Sequence, residues 1–175
     1  TGKTTIARIF ANAILGVTPK AEQAINLDII EIDAASNRGI EDVRGLKEMA
    51  SVSPVAASHK IIIIDEVHML SKDACNALLK LLEEPPAHVV FVLATTEAHK
   101  LLPTVLSRVQ RFDFKKLTQR EIVQKLETIT KAEKLRVESE VLALIAASSD
   151  GALRDAEVML TKLVSHAGGS AITES

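Results

Sequence analysis

Lys60-Ile61-Ile62-Ile63-Ile64-Asp65-Glu66-Val67-His68-Met69-Leu70 is the stretch that decides the fold. Four consecutive isoleucines have no polar face, as a parallel strand covered on both sides requires. The strand ends in two adjacent acids. A carboxylate at the C-terminal end of such a strand can hold Mg2+ through water, as in phosphate-loop enzymes. Asp65 is the candidate for that role. Glu66 points differently and is the candidate to orient or deprotonate an attacking water. Two solvated acids at a strand end are the bland alternative, and the choice depends on what surrounds them.

Upstream, the chain opens with Thr1-Gly2-Lys3-Thr4-Thr5. Gly2-Lys3-Thr4-Thr5 matches the end of the phosphate-binding loop, whose first Gly is not in this chain. Lys3 is the candidate to neutralise the β and γ phosphates, and the Thr4 hydroxyl to ligate Mg2+. Backbone N–H groups at the helix start would cradle phosphate oxygens. A short Gly-Lys-Thr run before a helix is weak evidence alone. Here it is followed, in the right order, by a strand that ends in Asp65-Glu66, and this setting points to a Mg-nucleotide site.

The intervening pattern supports an α/β domain. Helices are expected over 4–15 and 40–50, with a short Ile-rich strand over 28–32 and a loop over 33–39. Ser71 is placed to cap a helix whose apolar face is Ala74, Ala77, Leu78, Leu81 and Leu82. Pro85-Pro86 ends that helix. Strands are expected at 89–94 and 111–114, with a helix over 100–108 interrupted by Pro103. Thr118-x-x-Glu121 is a capping box that opens a helix. Strand–helix alternation thus stops near residue 116. The expected domains are 1–116, a nucleotide-binding sheet domain, and 117–175, a small helical domain.

Composition sets the limits. Hydrophobic residues make up 47% of the 175 residues but aromatics only 2%, so the core must be aliphatic. The net charge of −2 offers no overall basic field for nucleic acid, so DNA contact would need a local patch. The single cysteine, Cys75, precludes an internal disulfide or a Cys-based zinc site and fits a reducing cytoplasm. No apolar run approaches the ~18 residues of a membrane span, and no signal peptide is present. The five histidines lack zinc spacing, and His68 reads as a packed or surface residue. With no initiator Met and a start inside a loop, the chain reads as a fragment lacking segments at both ends.

Weaker candidates lie at element ends. Thr95-Thr96 closes the strand expected beside Asp65, where a hydroxyl could reach a γ-phosphate or water. Arg108, after Ser107, is either a solvated side chain or an arginine finger for a neighbour's site. Arg154 lies in the first turn of a helix, where a cation opposes the dipole unless an anion is near. The anion would be a phosphate, or else Asp150 or Asp155 in an ion pair.

Together these segments resemble the AAA+ clamp-loader ATPases, the gamma/tau subunits of bacterial DNA polymerase III. The likeness covers nearly the whole chain. It is carried by Gly2-Lys3-Thr4-Thr5, Glu31-Ile32-Asp33-Ala34-Ala35-Ser36, Asp65 to Leu70, Asn76 to Lys80, Leu82-Glu83-Glu84-Pro85-Pro86, Leu93 to Thr96, Ser107-Arg108 and Leu153-Arg154-Asp155-Ala156. The resemblance implies a P-loop NTPase (AAA+) parallel sheet followed by a helical lid. It also implies a Mg-dependent ATPase working within a DNA-directed DNA polymerase holoenzyme. Glu66, Thr96 and Arg108, acting in trans, would be catalytic. Thr1, Gly2, Lys3, Thr4, Thr5 and Arg154 would bind ATP, with Thr4 and Asp65 at Mg2+. Thr96 resembles the sensor 1 residue and Arg154 the sensor 2 arginine. Arg108 resembles the arginine of a Ser-Arg-Cys motif, with Val109 in place of the Cys. Arg38, Arg44 and Lys80 would contact DNA phosphates, unless they are ordinary solvated side chains.

Implied partners are delta, delta-prime, further gamma/tau copies, the sliding clamp and primer–template DNA, in the cytoplasm and without a membrane. Family members usually carry a four-cysteine zinc module where residues 16–27 stand, and no Cys occurs there. Three other readings compete: a non-hydrolysing delta-prime-like subunit, a branch-migration helicase motor and a P-loop kinase. The intact Lys3-Thr4 and Asp65-Glu66 pairs disfavour the first. The 33–36 and 82–86 segments fit poorly with the second. The helical domain and the adjacent acids disfavour the third.

Overall fold

The computed structural model describes residues 2–16 and 26–167. The chain divides into two compact units, Gly2–Phe112 and a second that begins at Asp113.

The first unit is built on a three-stranded parallel sheet, β1 (Ile29–Asp33), β2 (Lys60–Asp65) and β3 (Val89–Leu93), in spatial order β1-β2-β3. The register pairs Asp33 with Asp65 and Ile64 with Leu93. β2 is central, and all four of its isoleucines are fully buried. Their alternation sorts them onto the two faces of the sheet. Ile62 and Ile64 pack with Val43, Leu46 and Ala50 of α2 (Ile40–Ser51) and with Ala74, Leu78 and Leu81 of α3 (Lys72–Glu83). Ile61 and Ile63 face Ala7 and Ala11 of α1 (Lys3–Ile14) on the other side. A strand covered in this way needs a continuous apolar run, which β2 has.

The element ends follow local chemistry. Ser71 caps α3 by accepting the Ala74 N–H. Gly39 N–H donates to the Asp42 carboxylate at the start of α2 (2.9 Å). Cys75 joins the buried face of α3, a residue the apolar periodicity missed. Its burial pushes the thiol pKa up.

Two expectations fail. Pro103 does not interrupt a helix: it is the first residue of α4 (Pro103–Leu106), where its missing N–H has no intrahelical acceptor to lose. Residues 111–114 form no strand, and Phe112 and Phe114 are exposed. A strand exists through its ladder, and no described strand pairs with this segment.

The second unit holds α5 (Gln119–Ala132), α6 (Ser139–Ser148) and α7 (Leu153–Ala167). Ile122 and Leu126 of α5 pack with Val141, Leu142, Ile145 and Ala146 of α6 and with Ala156 and Leu160 of α7. The Thr118–Glu121 capping box forms in both directions. The turn between α6 and α7 uses Asp150 and Gly151, both at positive φ. Leu117 N–H donates to Gly151 O (3.2 Å), and Lys116 Nζ pairs with Asp150 Oδ2, tying residues 116–117 to that turn.

Candidate nucleotide-binding site

The C-terminal ends of β2 and β3 and the start of α1 converge. Gly2 adopts a left-handed conformation (φ 82°) and turns the chain into α1. Ile6 N–H is bonded to Gly2 O (2.9 Å), so the amides of Lys3, Thr4 and Thr5 have no intrahelical acceptor. No side chain caps them. These donors, with the positive end of the helix, form the kind of cradle that phosphate oxygens occupy. Lys3 is half-buried there and pairs with no other described residue. Thr1 lies outside the described residues.

Thr4 Oγ1 donates to Asp65 Oδ2 at 2.7 Å, so the hydroxyl and carboxylate read separately from the sequence meet. An all-oxygen pair suits a hard cation such as Mg2+, which keeps much of its water and takes substrate oxygens for the rest. Among the described residues no cluster of three or more His, Cys, Asp or Glu could hold a metal ion.

Glu66 follows with left-handed backbone (φ 48°, ψ 42°), uncommon for a residue with a side chain. Such strain clusters at functional sites. It is held by hydrogen bonds of the backbone around it: Glu66 N–H to the Asp65 side-chain Oδ1 (2.9 Å), Met69 N–H to Glu66 O (2.8 Å) and Val67 N–H to Ala94 O (3.0 Å). One carboxylate oxygen of Glu66, Oε2, accepts from the Thr96 hydroxyl (2.9 Å) and the Thr96 N–H (3.2 Å). Thr96 thus lies against the candidate base, as parallel pairing of β2 and β3 requires.

Sequence reasoning did not find the contacts of two residues in this region. His68 is packed, as one of its two readings had it, with Nδ1 2.8 Å from Thr95 Oγ1. Arg8, on α1, grips Glu31 of β1 through two 2.7 Å hydrogen bonds. This contact, with the negative charge of Glu31, raises the arginine's pKa further. Arg8 sits one helical turn beyond Thr4, and a charge pair on neighbouring elements leaves no local sequence signal.

Among the described residues, the remaining candidates make local contacts of their own or none. Arg108 pairs with Glu83 at the end of α3 (2.7 Å) and donates to Thr104 O (2.8 Å). Arg38 donates to Ala35 O (2.8 Å), Arg44 pairs with Glu41 one turn away, and Lys80 is exposed on α3. Arg154 is exposed in the first turn of α7 and pairs with neither Asp150, which takes Lys116, nor Asp155. Of the expected zinc-module segment, 16–27, residues 17–25 lie outside the described residues. Among the described residues no helix is long and apolar enough to cross a membrane.

Comparison with known proteins gives a consistent picture. A family described as DNA polymerase III, delta subunit, matches residues 2–118. A second, described as DNA polymerase III clamp loader subunit, ATPase lid domain, matches residues 121–169. The chain is 45% identical to the DNA polymerase III subunit tau of Bacillus subtilis over 181 aligned positions, covering 96% of this chain and 32% of that protein. It is 41% identical to the Escherichia coli tau subunit, covering 99% and 29%. The chain therefore spans about a third of the length of these curated relatives.

A solved gamma subunit-related protein of DNA polymerase III from Thermotoga maritima superposes with a TM-score of 0.58 at 30% identity, covering 89% of this chain and 50% of that one. The Thermotoga maritima RuvB Holliday junction branch migration motor superposes with a TM-score of 0.73 at 19% identity, covering 98% and 54%. The second likeness shows a shared fold and no more. The first, with the tau relatives, narrows the family.

Proposed function

This chain belongs to the clamp-loader family of DNA polymerase III, and from that premise we propose that it is the ATP-hydrolysing core of a loader motor subunit. One observation carries the reading: the Thr4 hydroxyl rests on Asp65 at 2.7 Å while the neighbouring Glu66 is held by Thr96. A phosphate cradle, a Mg2+ ligand pair and a positioned carboxylate stand together at the ends of adjacent parallel strands.

In this reading the free amides of α1 and Lys3 hold the ATP phosphates, with Thr5 beside them. Thr4 and Asp65 hold Mg2+, which supplies charge neutralisation on the phosphates. Glu66 accepts the proton of the attacking water through its second oxygen, Oε1, because Oε2 is taken by Thr96. Arg154 senses the phosphates from the helical lid. Arg108 leaves Glu83 to serve as the finger in a neighbouring subunit's site. That exchange is cheap, because the pair is half-exposed and such pairs contribute ~1 kcal/mol or less. Arg38, Arg44 and Lys80 contact DNA phosphates, and the pairs of Arg38 and Arg44 are exposed enough to yield. The partners are other loader subunits, the sliding clamp and primer–template DNA, in the cytoplasm.

A non-hydrolysing, delta-prime-like role is the second reading, and the delta-subunit family match invites it. Intact Lys3, Thr4, Asp65, Glu66 and Thr96 favour hydrolysis, since a structural subunit has no need of a positioned base.

The test is ATP turnover by the full-length protein assembled with its loader partners, with and without clamp and primed DNA, beside Arg108→Ala. Turnover that rises with clamp and DNA and falls by orders of magnitude in Arg108→Ala, on the scale of about a thousandfold, is the expected result. Turnover indifferent to both would leave a generic P-loop ATPase, and none at all would favour the structural role.

A further inference from the structure

His68 is a polar ring almost completely withdrawn from water, 6% exposed, between two carboxylates that are not. It stands on the short 3-10 turn Val67–Met69 that follows strained Glu66. Its Nδ1 is 2.8 Å from Thr95 Oγ1 and 3.3 Å from Glu66 Oε2. Its Nε2 is 3.2 Å from Glu97 Oε2. Glu97 is held in turn by Lys100 (2.7 Å), with His99 farther off at 4.0 Å.

Thr95 Oγ1 accepts the Glu97 N–H (3.0 Å) and is hydrogen-bonded to His68 Nδ1. Glu66 Oε2 lies between the two Thr96 donors and the Nδ1 edge of the imidazole. The same ring clamps Thr95, whose neighbour Thr96 supplies those donors.

We propose that His68 is a positioning residue for Glu66: the imidazole, locked by Thr95 and Glu97, sets the direction in which the Glu66 carboxylate faces. The inference deepens the hydrolytic reading and rests on it. An apolar side chain of similar size would fill the same space and keep the turn packed. It would leave Thr95 free to rotate and the Thr96 donors unanchored. Polar networks built around a buried member specify one arrangement when that member is satisfied.

The experiment is steady-state ATP turnover by the full-length protein in the assembled loader with clamp and primed DNA, alongside nucleotide binding and thermal unfolding. His68→Leu is expected to lower kcat by about tenfold or more, the scale of a misplaced reacting group, with ATP affinity unchanged. His68→Asn, whose amide reaches the position of Nδ1, is expected to restore most of kcat. His68→Gln, which reaches the position of Nε2 instead, should behave like His68→Leu. Thr95→Val should lower kcat alone and add little to His68→Leu, because residues acting as a unit are not additive.

A His68→Leu enzyme within about twofold of wild-type kcat would overturn the proposal while leaving the hydrolytic reading intact. So would equal losses in His68→Asn and His68→Leu that follow their melting temperatures, which would mean a packing role only. A wild-type loader without turnover would sink both.

Discussion

Thr4 and Asp65, 61 positions apart in sequence, are joined by a 2.7 Å hydrogen bond between hydroxyl and carboxylate. One residue belongs to the first turn of α1 and the other to the last position of β2. α1 packs its small residues, Ala7 and Ala11, against Ile61 and Ile63, which brings its N-terminus beside the strand end.

If this pair holds Mg2+, Thr4→Val will remove the hydroxyl at nearly constant volume and Thr4→Ser will keep it. Turnover measured across a Mg2+ titration should fall by at least about tenfold in Thr4→Val, since several kcal/mol of charge stabilisation pass through the ion. Thr4→Ser should stay near wild type, and EDTA should abolish turnover in both. Equal activity in Thr4→Val and wild type would remove Thr4 from the metal site.

Thr96 gives Glu66 two donors, and only one comes from the side chain. Thr96→Val keeps the N–H and the branched shape but deletes the hydroxyl. The carboxylate should then sample other orientations, lowering kcat by about tenfold to a hundredfold while ATP binding persists. A rise in KM without a change in kcat would show that Thr96 works on the substrate rather than on Glu66.

Asp28 is fully buried and accepts the N–H groups of Val55 (2.7 Å), Ala56 (2.8 Å) and Ala57 (2.9 Å). Burial raises its pKa, but the three amides and the charge of Lys60 lower it more, leaving it below its ordinary 3.8. The folded value is thus the lower one. The contact's contribution is complete above 3.8 and disappears as pH falls through the depressed value. Chemical denaturation should show Asp28→Ala destabilised by about 3 kcal/mol at neutral pH, because hydrogen bonds from three amides to a buried charge are lost. The gap from wild type should close in strong acid. A gap independent of pH would mean that the charge is not involved.

Gly151 has φ +80°, and a Cβ there would lie 2.8 Å from Lys116 Cβ and 3.0 Å from Leu117 O. Gly151→Ala should destabilise the helical unit by roughly 2 kcal/mol, through both backbone strain and the clash. Gly45, inside α2, meets nothing within 4 Å, so Gly45→Ala is a control expected to stabilise by up to about 1 kcal/mol. Thermal unfolding of the two variants with opposite shifts would support this; equal shifts would not.

The parallel sheet, its central strand and the order of the chemical groups were legible in the residues alone. Four isoleucines admit no exposed face, Ser71 and Thr118 mark helix starts with their own side chains, and the loop and acid motifs are contiguous. These are local signals, written within a few residues. The same locality explains the misreading of 111–114, where an apolar pattern suggests a strand but pairing depends on a neighbour far along the chain. Pro103 was visible, but whether it breaks or begins a helix depends on where the preceding turn ends.

Which groups act on one another depended on the folded arrangement. Thr4 meets Asp65 and Glu66 meets Thr96 because parallel register carries the strand ends to one edge and α1 packs across them. Whether His68 was packed or at the surface stayed open in the sequence, because the hydroxyl and carboxylate beside it lie 27 and 29 positions away, beyond the end of β3. Asp28 looked like the start of a strand, and it became a buried acceptor because a loop beginning near Val55 folds its amides over it. Hydrogen bonds act over about 3 Å in space with no regard for sequence distance, so such contacts leave no periodic trace in the chain that makes them.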